Sequence, residues 1–120
     1  MAKTILIVDD SASIRQLVNF TLRGAGYEVV EAVDGAEAMD KLNSGIDLII
    51  TDLNMPNKNG IELLKQVRKS PVFKFIPVVM LTTESQQEKV LEAKASKVSG
   101  WIVKPFTPEK LIETVKRFVK

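Results

Sequence analysis

The chain has 120 residues, with 17 Lys and Arg against 15 Asp and Glu, and no cysteine. That length suits one domain, here taken as residues 1–120, with a core of its own, and the lack of cysteine excludes a disulfide scaffold. No apolar run reaches membrane-spanning length and no secretory h-region opens the chain, so a soluble cytoplasmic protein with no membrane partner is expected.

The charge is unevenly spread. Residues 1–60 carry five Lys/Arg and nine Asp/Glu, and residues 61–120 carry twelve and six. This fits an ordinary solvated surface, or a basic face for an acidic partner. No Arg-rich run is interleaved with aromatics, so nucleic-acid binding is not expected.

In chain order, Thr4–Val8 is a continuous aliphatic run, as a strand buried on both faces should be. Ile14, Leu17, Val18, Thr21 and Leu22 mark the inward face of a helix, which Gly24 and Gly26 close. Tyr27–Ala32 is a second strand, and Asp34-Gly35 turns into a short helix through Leu42. Asp47–Thr51 is the third strand. Asn54–Gly60 is a loop rich in Asn, Pro and Gly. The helix after it turns Ile61, Leu64 and Val67 inward. Pro77 opens a fourth strand, Val78–Leu81, at a position a strand tolerates. Residues 84–96 form a polar helix with a weak apolar face, and Trp101–Val103 is a short fifth strand. Thr107 is an N-cap with Pro108 at the first helical position, and Leu111, Ile112, Val115 and Val119 define the last helix.

Strict alternation of strands and helices predicts an α/β fold, an open doubly wound five-stranded parallel sheet with helices on both faces. Ligand sites in such sheets lie beyond the carboxyl ends of the strands. Four strands end there in polar groups: Asp9-Asp10, Asp52, Thr82 and Lys104-Pro105. The spacing therefore predicts that three carboxylates, a hydroxyl and an ammonium meet in one place.

Adjacent Asp9 and Asp10 are hard to ionise together without a nearby cation. With Asp52 they offer oxygens for Mg²⁺, which keeps waters and leaves a position for phosphate, and the Asn54 backbone carbonyl is a further candidate. A carboxylate is also a nucleophile able to form an aspartyl phosphate. A cation and Lys104 would offset charge on phosphoryl oxygens, to which Thr82 could donate. Each group has an ordinary alternative: Asp pairs cap helices, and a strand-end Thr or Lys is commonly structural or solvated. The conjunction of all four in order is what points to chemistry.

Asp9-Asp10-Ser11, Thr51-Asp52-Leu53-Asn54-Met55-Pro56 with Asn59-Gly60, Leu81-Thr82-Thr83-Glu84, and Gly100-Trp101-Ile102-Val103-Lys104-Pro105-Phe106 resemble a two-component response-regulator receiver domain. The similarity runs the full chain and is greatest to the single-domain CheY-like group of chemotaxis regulators. It implies a flavodoxin-like sheet of order 2-1-3-4-5, for which CheY is itself a standard example.

It also implies residue roles. Asp52 would accept a phosphoryl group from the phosphohistidine of a sensor histidine kinase. Asp9, Asp10, Asp52 and the Asn54 carbonyl would hold Mg²⁺. Lys104 would pair with the phosphate across a cis peptide to Pro105. Thr82 would move toward the phosphate and Trp101 would rotate inward behind it. The face of the fourth helix, fifth strand and fifth helix would then bind a target such as the flagellar motor, with Lys89, Glu92, Trp101 and Lys116 as candidates. The resemblance implies a monomeric switch in chemotaxis or motility. It would not be a dedicated enzyme, though it would catalyse its own phosphorylation and slow dephosphorylation.

Three positions depart from the family pattern. Lys97 stands where the turn before the fifth strand usually has Gly. Lys58 stands where an apolar residue or Met is common, and is expected to bring a cation near the acidic site. Trp101 is larger than the common Tyr. Lys58 and Lys97 motivate an alternative, a receiver-shaped adaptor that works without phosphorylation. An Asp-nucleophile phosphatase is disfavoured because Asn54 occupies the position where those enzymes carry an acid. Flavin binding is disfavoured because the first strand–helix turn is Asp-rich and would repel phosphate.

Overall fold

A computed structural model describes residues 2–55, 57–83 and 87–119, without the side chains of 87–90. Five strands alternate with five helices: β1 Thr4–Val8, α1 Ala12–Gly24, β2 Glu28–Ala32, α2 Gly35–Lys41, β3 Leu48–Asp52, α3 Gly60–Lys69, β4 Val78–Thr82, α4 Gln87–Ala95, β5 Gly100–Val103 and α5 Pro108–Phe118. The strands form one parallel sheet in the order β2-β1-β3-β4-β5, the order the resemblance implies. No helix among the described residues is long and apolar enough to cross a membrane.

Alternation along the central strands divides the core into two layers. Leu6, Val8, Ile49, Val78 and Met80 pack on one face with Ala38, Leu63, Leu64, Val67 and Ala93 from α2, α3 and α4. Ile5, Ile7, Leu48, Ile50, Val79 and Leu81 pack on the other with Val18, Leu22, Leu111 and Val115 from α1 and α5. β1 and β3 lie mid-sheet under both layers, which is why they read as unbroken aliphatic runs rather than alternating ones.

Helix ends follow local chemistry. Ser11, Asp34, Asn59 and Thr107 each accept a backbone N–H in the first turn of α1, α2, α3 and α5. Asn59 and Glu62 form a reciprocal capping box, worth about 1 kcal/mol. After α1, Gly26 takes φ +97°, a conformation glycine adopts without a Cβ penalty.

Leu17, expected inward, is 41% exposed, and its neighbour Phe20 is 82% exposed. The apolar stripe of α1 is wider than the strip of sheet it covers. Lys97, where the family usually has Gly, takes a left-handed conformation at φ 66°. A lysine there carries backbone strain of roughly 1 kcal/mol relative to glycine.

Candidate functional site

β1, β3, β4 and β5 deliver their last side chains to the same edge of the sheet. Val8 is in register with Thr51, Asp52 with Leu81, and Thr82 with Val103. The next residues along the outer two of these strands are Asp9 and Lys104. Asp9, Asp10 and Asp52 thus place carboxylate oxygens within 4.8 Å of one another, with Asp9 and Asp52 buried and Asp10 exposed. Lys104 Nζ bridges Asp52 Oδ1 at 3.1 Å and Asp9 Oδ2 at 3.3 Å.

The cluster is held from behind. Asp9 Oδ1 accepts the Ser11 N–H, and the Arg15 guanidinium donates to the Asp9 carbonyl at 2.7 Å. Leu53 N–H donates to Asp52 Oδ1, the same oxygen that Lys104 contacts. The Lys104 N–H donates to the Thr82 carbonyl at 2.6 Å, which joins the ends of β4 and β5. The Lys104–Pro105 peptide is cis. Thr82 is buried at the carboxyl end of β4. Asn54 is exposed, two residues beyond Asp52.

Charge is unbalanced here. Burial raises the pKa of Asp52, and the Asp9 charge adds to that, against the lowering effect of Lys104. Burial lowers the pKa of Lys104, yet Asp52 and Asp9 together outweigh it and leave the ammonium's pKa raised. The two directions agree physically: one cation among three carboxylates is well served, while Asp52, which shares it with Asp9, is not. A divalent cation is the natural complement of such a set, and hard oxygen donors with one exposed carboxylate suit Mg²⁺.

The loop after β3 is fastened from both sides. Gly60 lies so close to the chain that an added Cβ would stand 2.3 Å from the Asp52 carbonyl. Gly35 N–H donates to the Lys58 carbonyl at 2.9 Å, and a Cβ at Gly35 would meet Lys58 at 2.7 Å. Asn57, at φ 65°, donates its amide to Asp34 at 2.8 Å. The Glu37 N–H, and then this amide, lower the Asp34 pKa.

Lys58 does not act as expected. Its ammonium is hydrogen-bonded to Gln66 on α3 rather than to a carboxylate of the site. The loop turns its backbone, not its charge, toward α2, and the side chain follows the α3 surface. Among the other residues singled out, Glu92 pairs with Lys65 of α3 at 2.8 Å, across the α3–α4 seam. Trp101 is half-buried against the α2–α3–α4 layer, with Lys94 Nζ 5.0 Å from its ring centroid. Lys116 is exposed on α5. Lys89 falls in α4, but its side chain lies outside the described residues, as does Glu84.

Sequence reasoning passed over Arg68. Its guanidinium donates to the carbonyls of Lys97, Lys74 and Ile76 and to Ser99 Oγ. Nothing in local periodicity marks it, because its partners lie in two separate turns.

A crossover-wound parallel sheet with an acidic cleft at β1 and β3 and a lysine after β5 defines a receiver fold. The family model for the response regulator receiver domain matches residues 5–116, and the chain belongs to that family. It is similar to the chemotaxis protein CheY1 of Helicobacter pylori, 46% identical over 91% of this chain and 90% of that protein. It is also similar to the chemotaxis protein CheY of Pseudomonas aeruginosa, 41% identical over 94% and 93%. Among solved structures, the chemotaxis response regulator CheY4 of Vibrio cholerae superposes with a TM-score of 0.92 at 49% identity, covering 99% of this chain and all of that one. The chain is therefore a receiver domain of the CheY-like chemotaxis kind.

Proposed function

We propose that the protein is a cytoplasmic phosphorylation switch of a two-component pathway, probed most directly at Asp52. The carrying observation is the single cluster of Asp9, Asp10, Asp52 and Lys104 at the carboxyl ends of β1, β3 and β5. Asp52 Oδ2 attacks the phosphorus of a kinase phosphohistidine, the P–N bond breaks, and the imidazole leaves with the bond's electron pair. Burial supports this role, because an Asp52 whose charge is poorly solvated is a stronger nucleophile.

Asp9, Asp10 and Asp52, with the Asn54 carbonyl, are the residues that would hold Mg²⁺. When bound, the ion supplies charge to offset that of the phosphoryl oxygens. Lys104 exchanges its contact with Asp52 for one with the phosphoryl group, and Thr82 donates to another of its oxygens. The same residues serve slow hydrolysis of the product, without making the protein a dedicated enzyme.

Output would run through Thr82 and β5 to Trp101, and thence to the α4-β5-α5 face. There Lys89, Glu92, Trp101 and Lys116 are candidate contacts for a protein target, in motility the flagellar motor. This is a local charge change biasing a two-state element. The two chemotaxis relatives support the pathway.

Incubation with acetyl phosphate and Mg²⁺ followed by intact mass spectrometry should show one phosphate adduct, absent from Asp52→Ala. Wild-type protein that binds Mg²⁺ yet takes up no phosphate would overturn the reading. It would favour the phosphorylation-independent adaptor instead.

A further inference from the structure

The amino ends of β4 and β5 carry a second concentration of charge, of opposite sign to the first. Between the end of α3, the α3–β4 loop and the α4–β5 turn lies a groove of about 510 Å³, lined by Lys65, Arg68, Lys69, Lys74, Phe75 and Lys97 together with Ala95 and Ser96. Phe75 is 88% exposed, with Lys74 Nζ 5.2 Å from its ring centroid. Lys65 is paired with Glu92, and Arg68 is committed to three carbonyls and Ser99. Lys69, Lys74 and Lys97 have no ion pair among the described residues.

Two further observations point to a ligand. Lys97 holds a left-handed conformation that a glycine would take without strain, and the side chain so retained is a cation on the groove's rim. Arg68 ties the α4–β5 turn and the α3–β4 loop to α3, so the walls are fixed relative to one another. Phe75 and Ala95 give the lining apolar surface beside its cations.

We propose that this groove docks a short acidic peptide segment of a partner protein, seating an aromatic or aliphatic side chain against Phe75 while its carboxylates pair with Lys69, Lys74 and Lys97. Charge complementarity selects the occupant. A nucleic-acid strand is disfavoured by the single exposed aromatic and by the engagement of the one arginine. The five-residue length of β4 puts the groove on the order of 17 Å from the Asp52 end of the sheet. Docking here therefore leaves the acidic cleft open, and the proposal does not rest on phosphorylation of Asp52.

The test uses unphosphorylated, Mg²⁺-free protein and fluorescence anisotropy of a fluorescein-labelled Glu-Asp-Phe-Asp-Glu peptide. Saturable binding is expected, weakening several-fold between about 50 and about 200 mM salt. Lys69→Glu with Lys74→Glu should weaken it at least about tenfold, and Phe75→Ala about fivefold. The same charge change made by Lys41→Glu with Lys110→Glu should leave it within about twofold. Circular dichroism checks the fold of each variant, and the single exposed change Lys74→Gln, expected to weaken binding about threefold, serves if the double reversal misfolds. No saturable binding, or an equal loss in the Lys41/Lys110 control, would overturn the proposal. So would tighter binding at the groove of a single-stranded oligonucleotide or of phosphatidylserine vesicles.

Discussion

At the carboxyl ends of the strands one ammonium serves several carboxylates, whereas at the amino ends one guanidinium serves several carbonyls. Lys104 is shared by Asp9 and Asp52, with Asp10 nearby, and the negative charge exceeds what it can neutralise. Arg68 donates to Lys74, Lys97, Ile76 and Ser99, all of them neutral acceptors, through four of its five N–H bonds, and burial lowers its pKa. The first arrangement is electrostatically incomplete and so responsive to any added charge. The second answers its cation with oriented dipoles rather than with an opposite charge, and acts as a fastening. Both are partly buried multi-centre contacts in one small domain, yet the formal charge of the partners gives them opposite characters.

Breaking each centre should separate these roles. Lys104→Met should lower the rate of phosphoryl uptake from acetyl phosphate about 100-fold, measured by quenched-flow mass spectrometry. Uptake at the wild-type rate would mean that the ammonium is only structural. Arg68→Met should remove roughly 2–3 kcal/mol of stability by orphaning the carbonyls it serves, while uptake stays near normal. Thermal melting should register this as a fall on the order of 10 °C. A large loss of uptake in that variant would merge the two centres into one.

Acidity sharpens the contrast. Burial raises the Asp52 pKa, so the folded protein holds a proton there more tightly than the unfolded chain does. The ionised group therefore lowers stability in full above its folded pKa, and this penalty shrinks as pH falls through that pKa and is gone below the ordinary carboxylate value of 3.8. Asp52→Asn should accordingly be more stable than wild type at neutral pH in Mg²⁺-free buffer, with the gap closing on acidification. A less stable Asp52→Asn protein would show that the contact with Lys104 outweighs burial. The smallest effect belongs to the turn that Arg68 fastens. Lys97→Gly should raise stability by about 1 kcal/mol in a denaturant titration. A neutral result would mean that the turn relaxes around the lysine.

Much of this molecule is legible in the chain. Thr4–Val8 is the strand the aliphatic run indicates, and Thr107-Pro108 starts α5 as capping chemistry requires. Asp9, Asp10, Asp52 and Lys104 converge because a parallel sheet aligns strand ends, a property of topology that alternation reveals. What the chain hides depends on register between distant segments. Arg68 reaches Ser99 and Lys97 across some thirty residues, and Lys94 sits over Trp101 only because the α4–β5 turn reverses the chain there. Lys58 looks like a cation for the acidic cleft, but Gln66 holds it elsewhere. Leu17 follows the helical period yet remains exposed, since periodicity gives a direction and not the extent of what covers it.

Trp101 is the chain's sole tryptophan, and it lies on β5 beneath the Lys94 ammonium. Intrinsic emission excited at the red edge therefore comes from one indole, at the seam between β5 and α4. A cation near the ring polarises its excited state, so departure of Lys94 or reorientation of the ring should shift the spectrum. The protein carries its own optical gauge of that seam, readable in dilute solution without a dye, an isotope or a second chromophore.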